Sequence, residues 1–296
     1  MEQELKEMLP AIPIVTRTRN LDDLRERTKP FISRVKLSEL VDWVDVVDIV
    51  NVEMTPRQKT LYKQISRDVL LKLESGDLKV VNALSDMTRC LQVAEGVYNI
   101  EPKWQDSGKL DYLREDFRNS TDKVCGWFRF KAGTEILYKE FKGEAVIFNG
   151  DYTQNQKTLA LWAFQGVSNE QDEAEYKRLA AACKFRFKPG EARILLGVID
   201  KSTTLGFNLP ACNRQLFPSF AWNGNVNRQT GDRIKRINQE ADSVYTTYLV
   251  SEGTIEERAL EMIFANYRNC AHVLDGKDSL DYNKTQELIK LLRRTV

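Results

Sequence analysis

Histidine is nearly absent: the chain of 296 residues has one, His272. Ser-His-Asp and Cys-His nucleophile systems and multi-histidine zinc sites have almost nothing to be built from. A large share of hydrolase chemistry falls away. Cysteine is sparse and scattered, with five residues at 90, 125, 183, 212 and 270 and no CxxC pair. An odd, widely spaced set suggests neither a disulfide framework nor a zinc ribbon, and reads as thiols in a reducing compartment. No apolar run approaches the roughly 18 residues that a membrane-spanning helix needs. The amino terminus, MEQELKEMLP, is charged and lacks an apolar signal core, so a cytoplasmic protein is expected. Excess charge of one sign is missing too: Lys+Arg is 44 and Asp+Glu is 43, a net of +1. That argues against a polybasic binder and leaves only a local basic face open. A phosphate loop is also lacking, because Gly108-Lys109-Leu110 and Gly276-Lys277-Asp278 have neither the leading Gly nor the Ser/Thr of G-x-x-x-x-G-K-[ST].

What is present is a globular composition, 42% hydrophobic and 29% charged, long enough for one large domain or two ordinary ones. The texture changes near residue 107. Before it, Val44 to Val52 alternates loosely as a strand, Thr55 and Pro56 open a helix, and a second amphipathic helix is predicted from Leu78 to about Val93. Pro102 to Gly108 reads as a loop. After it, short apolar runs at Val124 to Phe128, Ala145 to Phe148, Leu159 to Phe164, Ile194 to Ile199, Arg214 to Phe217 and Val244 to Val250 are the strand candidates. Helical stretches fall near Thr134 to Phe141, Glu173 to Cys183, Ile255 to Tyr267 and Asn283 to Arg294. Strands alternating with helices imply an α/β fold, a parallel sheet covered on both faces. Ligands of such sheets bind where the carboxyl ends of strands meet their loops.

The sharpest local signal is RQTGDRIKRINQ, Arg228 to Gln239. Arg233 and Arg236 are three apart, which on a helix would aim both guanidinium groups from one face, with Gln229 one turn back. Planar five-donor forks suit phosphate oxygens. The plain alternative is a solvated face pairing with Asp232 and Glu240.

The segment resembles the last motif of the Swi/Snf-related, helicase-like ATPases of superfamily 2, with Lys235 in place of the usual His and Asn238 in place of Gly. Six further stretches are similar to that family in the same order. They are KPFISRVK (29 to 36), VEMTPRQKTLYKQI (52 to 65), MTRCLQVAEG (87 to 96), SGKLDYL (107 to 113), LGFNLPAC (205 to 212) and VYTTYLVSEGTIEERALEMI (244 to 263). Between them, Gly166-Val-Ser-Asn-Glu-Gln with Phe187 to Arg193 fits the family's pattern better than Gly150-Asp-Tyr-Thr, which would make residues 144 to 156 an insertion.

The resemblance implies a RecA-like lobe at 107 to 274, preceded at 1 to 106 by the tail of a first lobe with its last strand and protruding helices, and followed by a terminal helix at 275 to 296. Family members hold ATP between two lobes and move along double-stranded DNA, the first lobe carrying the phosphate loop and the Mg2+ acids. By that likeness Arg233 and Arg236 are the arginine-finger candidates. Gln229, Gly206 and Asn208 are expected at the nucleotide. DNA-backbone contacts are expected from Arg129, Lys131, Lys201, Ser202, Thr203, Thr204 and Trp222. No metal ligand is expected in this chain. ATP and Mg2+ would be held mainly by an N-terminal RecA-like lobe, supplied upstream or as a separate subunit, in a bacterial or phage-infected cell. Asp172-Glu173-Ala174-Glu175 reads as a helix opening, and Lys184, Arg186 and Lys188 as basic residues facing water beside Phe185 and Phe187. On its own the chain would not hydrolyse ATP. The competing expectation is a non-catalytic DNA-binding adaptor that kept the fold. Val44 to Val52 should leave an unpaired edge or a sticky apolar face, since its sheet would be the first lobe's, so self-association or a mobile amino-terminal third is expected.

Overall fold

The computed structural model describes residues 20–32, 39–74, 80–98, 106–200, 206–261, 263, 264 and 267. Among the described residues six strands, all parallel, form one sheet in the order β1-β6-β5-β2-β4-β3. They are β1 (Val44–Val52), β2 (Val124–Phe128), β3 (Ala145–Phe148), β4 (Ile194–Val198), β5 (Arg214–Phe217) and β6 (Ser243–Ser251). Helices α1 (Leu21–Thr28), α2 (Pro56–Glu74), α3 (Val80–Glu95), α4 (Gly108–Asn119), α5 (Lys131–Glu140), α6 (Gln154–Gln165), α7 (Glu170–Cys183) and α8 (Gly224–Gly231) connect or flank them. A ninth, α9, occupies residues 255–261.

β2, β3 and β4 are buried at every position. That is why they read as unbroken apolar runs rather than alternating ones. Successive residues serve opposite faces. Cys125 and Trp127 join one core with Phe148, Phe217 and Tyr248. Val124 and Phe128 join another with Leu110, Leu113, Phe117 and Leu137. Each large side chain so buried contributes about 1.5–3 kcal/mol. Gly197 of β4 exists for Trp127: a Cβ there would lie 2.3 Å from the indole ring. The indole Nε1–H in turn donates to Gln215 Oε1 at 2.9 Å, across the sheet.

Three expectations are corrected. The strand at 44–52 does not wait for another sheet. All nine residues of β1 pair in parallel with β6, from Val44↔Ser243 to Val52↔Ser251, so the sheet crosses the boundary drawn near residue 106. Its outer side is a sheet edge. The run Leu159 to Phe164 is not a strand but the second half of α6, opened by a capping box in which Thr153 Oγ1 accepts from the Gln156 N–H. Finally, residues 144–156 are not an insertion. β3 pairs with β4 over four positions, and Gly150 and Thr153 lead from it into α6.

Residues 166–192, with α7, lie between α6 and β4. Asn169 caps that helix ahead of Asp172 and Glu173, as the acidic opening implied. Lys123 Nζ fastens the segment by donating to the carbonyls of Phe164, Gly190 and Ala192. Phe187 is buried, while Lys184, Arg186 and Lys188 are exposed. Residues 275–296 and His272 lie outside the described residues.

Candidate functional site

The expected site residues fall in two groups, separated by the topology. One follows the carboxyl ends of β2 and β5. Arg129 comes immediately after β2, and its backbone N–H donates to Ser219 Oγ at 2.8 Å. Its guanidinium lies 5.6 Å from the Trp222 ring centre and 5.7 Å from that of Phe130. Trp222 is half-buried against the core, and Asn227 fixes its loop by bonding both the N–H and the C=O of Ala221. Lys131 begins α5, is exposed, and pairs with Asp151 at the end of β3. An exposed pair like this is worth at most about 1 kcal/mol, so Lys131 can exchange its partner for a phosphate at little cost. Lys201, Ser202, Thr203 and Thr204 lie outside the described residues.

The second group gathers where the chain returns to the start of β6. Here the helical expectation fails. α8 stops at Gly231, whose carbonyl is taken by the buried Gln215 side chain at 3.0 Å, so Arg233 and Arg236 sit on turns beyond the helix. Arg233 is 7% exposed and belongs to its own lobe. Nη1 donates to the Phe207 carbonyl at 3.1 Å, and the guanidinium lies 5.3 Å from that residue's ring. Burial, then the like charge of Arg236, lowers its pKa, against the pull of Asp232. Arg236 is different. It is half-buried, and its Nε has no partner among the described residues. Its main chain is anchored: the carbonyl accepts from Trp43 Nε1 at 3.3 Å, while neighbouring Lys235 pairs with Asp45 at 2.8 Å. Trp43 and Asp45, at the start of β1, thus hold the Arg236 turn. Gly206 and Asn208 are exposed on the loop that Arg233 gathers, where the Leu209 N–H donates to the Arg233 carbonyl at 2.8 Å. Gly206 has φ +46°, a value that glycine adopts without strain. Gln229 is exposed on α8.

Comparison with known proteins bears on this arrangement. No family model matches the chain. The Drosophila melanogaster protein described as "Transcriptional regulator ATRX homolog" is 29% identical over 147 residues, covering 49% of this chain and 10% of its own length. The Caenorhabditis elegans "SWI/SNF-related matrix-associated actin-dependent regulator of chromatin subfamily A containing DEAD/H box 1 homolog" is 24% identical, covering 97% of this chain and 33% of its own. Among solved structures, the C-terminal part of the Fun30 ATPase domain aligns with TM-score 0.55 and 15% identity, over 85% of this chain and 97% of that one. The Sulfolobus solfataricus SWI2/SNF2 ATPase core in complex with dsDNA aligns with TM-score 0.57 and 20% identity, over 93% of this chain and 56% of that one. By sequence and by fold, the chain matches the carboxyl-terminal half of a Swi/Snf-related helicase. It spans a third or less of the curated relatives' length, 10% and 33% for the two named.

This Swi/Snf-like half has an interior that sequence reasoning passed over. Gln58 is wholly buried and joins three helices. Its Oε1 accepts from the N–H groups of Thr55 and Gly108, each at 3.0 Å, while Nε2 donates to the Val93 carbonyl at 2.8 Å. The Thr55–Gln58 spacing of a capping box was its available signal. Lys109 and Glu256, both 1% exposed, form a buried ion pair at 2.5 Å. Glu95, at 0% exposure, carries no signal beyond a charge inside an apolar run. Among the described residues no cluster of three or more His, Cys, Asp or Glu could hold a metal ion, and no helix is long and apolar enough to cross a membrane.

Proposed function

We propose that the chain is the second-lobe half of an ATP-dependent double-stranded DNA translocase. Arg236 serves as the arginine finger for a nucleotide held by a phosphate-loop lobe. A guanidinium brought to the transferring phosphoryl group stabilises the charge that develops there. Arg233 then acts mainly as a positioning residue, because its contacts order the Phe207 to Leu209 loop. Gln229, Gly206 and Asn208 border the same nucleotide. Arg129, Lys131 and Trp222 face the DNA backbone beyond the carboxyl ends of β2 and β5, with Lys201, Ser202, Thr203 and Thr204 as further candidates. Contacts of this kind are independent of sequence and sensitive to salt. The chain supplies no phosphate loop and no assigned Mg2+ ligand, so hydrolysis is a property of the two lobes together. ATP bound with Mg2+ supplies the phosphoryl group; this chain supplies cation, fit and DNA grip.

The observation that carries this reading is the contrast between the two arginines. Arg233 is consumed by its own lobe, whereas Arg236 is held by its backbone and keeps a guanidinium nitrogen without a partner. The test is DNA-stimulated ATPase of this chain combined with a Swi/Snf-type phosphate-loop lobe. Arg236→Ala is expected to lower kcat by roughly 10³-fold, the scale of a lost arginine finger. The burial of Arg233 favours a second reading, a DNA-binding adaptor without turnover. Unchanged turnover in Arg236→Ala, or none in the combined wild-type lobes, would select it.

A further inference from the structure

Charged groups from several elements meet at one buried point behind the carboxyl ends of β2, β5 and β6. Glu95, the last residue of α3, has no exposed surface. Its carboxyl lies against the first turn of α5, where a Cβ added to Gly133 would stand 2.5 Å from Oε1. Lys109 of α4 and Arg129 after β2 are the cations that face it, and Glu256 of α9 is the other anion. Lys109 is already committed, to Glu256 and to the Pro218 carbonyl at 2.6 Å. Ser219 is near enough to act on Glu95. Its oxygen accepts from the Arg129 backbone N–H, which leaves the hydroxyl proton to turn toward Glu95, and neither Glu95 oxygen has a partner in full hydrogen-bonding geometry. Arg129 has a matching vacancy, since its Nη1 is buried and unpartnered. A buried carboxyl with no committed cation therefore lies within electrostatic range of a guanidinium with an uncommitted corner.

A buried carboxylate without partners is costly, and the neutral acid is the cheaper form. Burial accordingly pushes Glu95 up to about 8, against the lowering effects of Ser219, Lys109 and Arg129. We propose that Glu95 is a positioning residue for the Arg129–DNA contact: neutral, it leaves the guanidinium to a backbone phosphate, and ionised, it draws the guanidinium inward. This deepens the reading of Arg129 as a DNA contact and rests on it. The phosphate and the Glu95 carboxylate compete for one cation, so the DNA-bound state favours protonated Glu95. Duplex affinity must then fall as the pH rises through the Glu95 transition, by at most tenfold per pH unit for one linked proton.

The test measures binding of the full chain to a fluorescein-labelled mixed-sequence duplex at constant ionic strength, between about pH 6.5 and 9. Wild type is expected to weaken roughly threefold to tenfold over that range. Glu95→Gln mimics the neutral acid and should bind as wild type does at the low end, with the slope lost. Gly133→Ala keeps every charge but displaces the carboxyl, and should reduce the same slope; it serves if Glu95→Gln does not fold. Arg129→Ala should bind more weakly at all pH values and show no slope. If Arg129→Ala binds as tightly as wild type, the DNA-contact reading fails, and the proposal with it. If Arg129→Ala weakens binding but Glu95→Gln keeps the wild-type slope, the proposal alone is overturned.

Discussion

Replacing Lys109 by Met removes a cation from a site with 1% exposure. Two partners are stranded. Glu256 Oε2 keeps only the Ser251 N–H at 2.9 Å, and the Pro218 carbonyl loses its donor. Glu256 Oε1 has no partner even in the intact protein. Breaking a buried ion pair from one side costs about 3–5 kcal/mol, because the surviving charge stays buried and uncompensated. For a domain of this size each kcal/mol lowers Tm by about 2–4 °C, so a loss of roughly 6–20 °C is expected in a thermal melt followed by circular dichroism. The double variant Lys109→Met/Glu256→Leu removes both charges. It leaves the Ser251 N–H and the Pro218 carbonyl unpaired, each worth about 1–3 kcal/mol, but the carbonyl is stranded in the single variant as well and no buried charge remains, so the double variant should be more stable than the single one. A Lys109→Met protein within 1 kcal/mol of wild type, or a double variant weaker than the single, would refute the reasoning.

Glu95 gives a pH-dependent stability of opposite sign to the usual carboxylate. Its folded pKa is raised from 4.5 to about 8, so its protonated form stabilises the fold below about pH 4.5 and that benefit is lost as the pH rises to 8. The ceiling on the loss is about 5 kcal/mol. Glu95→Gln should therefore resist urea more than wild type at pH 9 and little differently at pH 5; equal midpoints at both would contradict the assignment. Gly197→Ala places a methyl 2.3 Å from the Trp127 ring. It should cost about 1–3 kcal/mol by overpacking, visible as a lower urea midpoint, and an unchanged midpoint would contradict the packing.

Strand existence was legible because local pattern suffices for it: the expected runs at 124–128, 145–148 and 214–217 are β2, β3 and β5 to the residue. Strand partnership was not. Nothing in VDVVDIVNV says which sheet it joins, since the pairing of β1 with β6 brings together residues about 200 positions apart. The Leu159–Phe164 run misled because a short apolar stretch has no period to distinguish strand from helix; Thr153 and Gln156, the capping box before it, held the answer. Arg233 and Arg236 were singled out by residue type, but their place beyond the end of α8 was missed. The end of α8 depends on a distant Gln215 taking the Gly231 carbonyl. Glu95 was invisible for a similar reason: burial among Lys109, Arg129 and Glu256 exists only after the fold has closed.

The account rests on Arg236 reaching a nucleotide that another lobe holds. The most direct measurement is a crystal structure of this chain joined to a phosphate-loop lobe, with Mg2+-ADP and a fluoride mimic of the transferring phosphoryl group. A guanidinium nitrogen of Arg236 is predicted about 3 Å from the mimic, a hydrogen-bonded distance. An Arg236 folded back onto its own lobe while the mimic is fully bound would contradict the account.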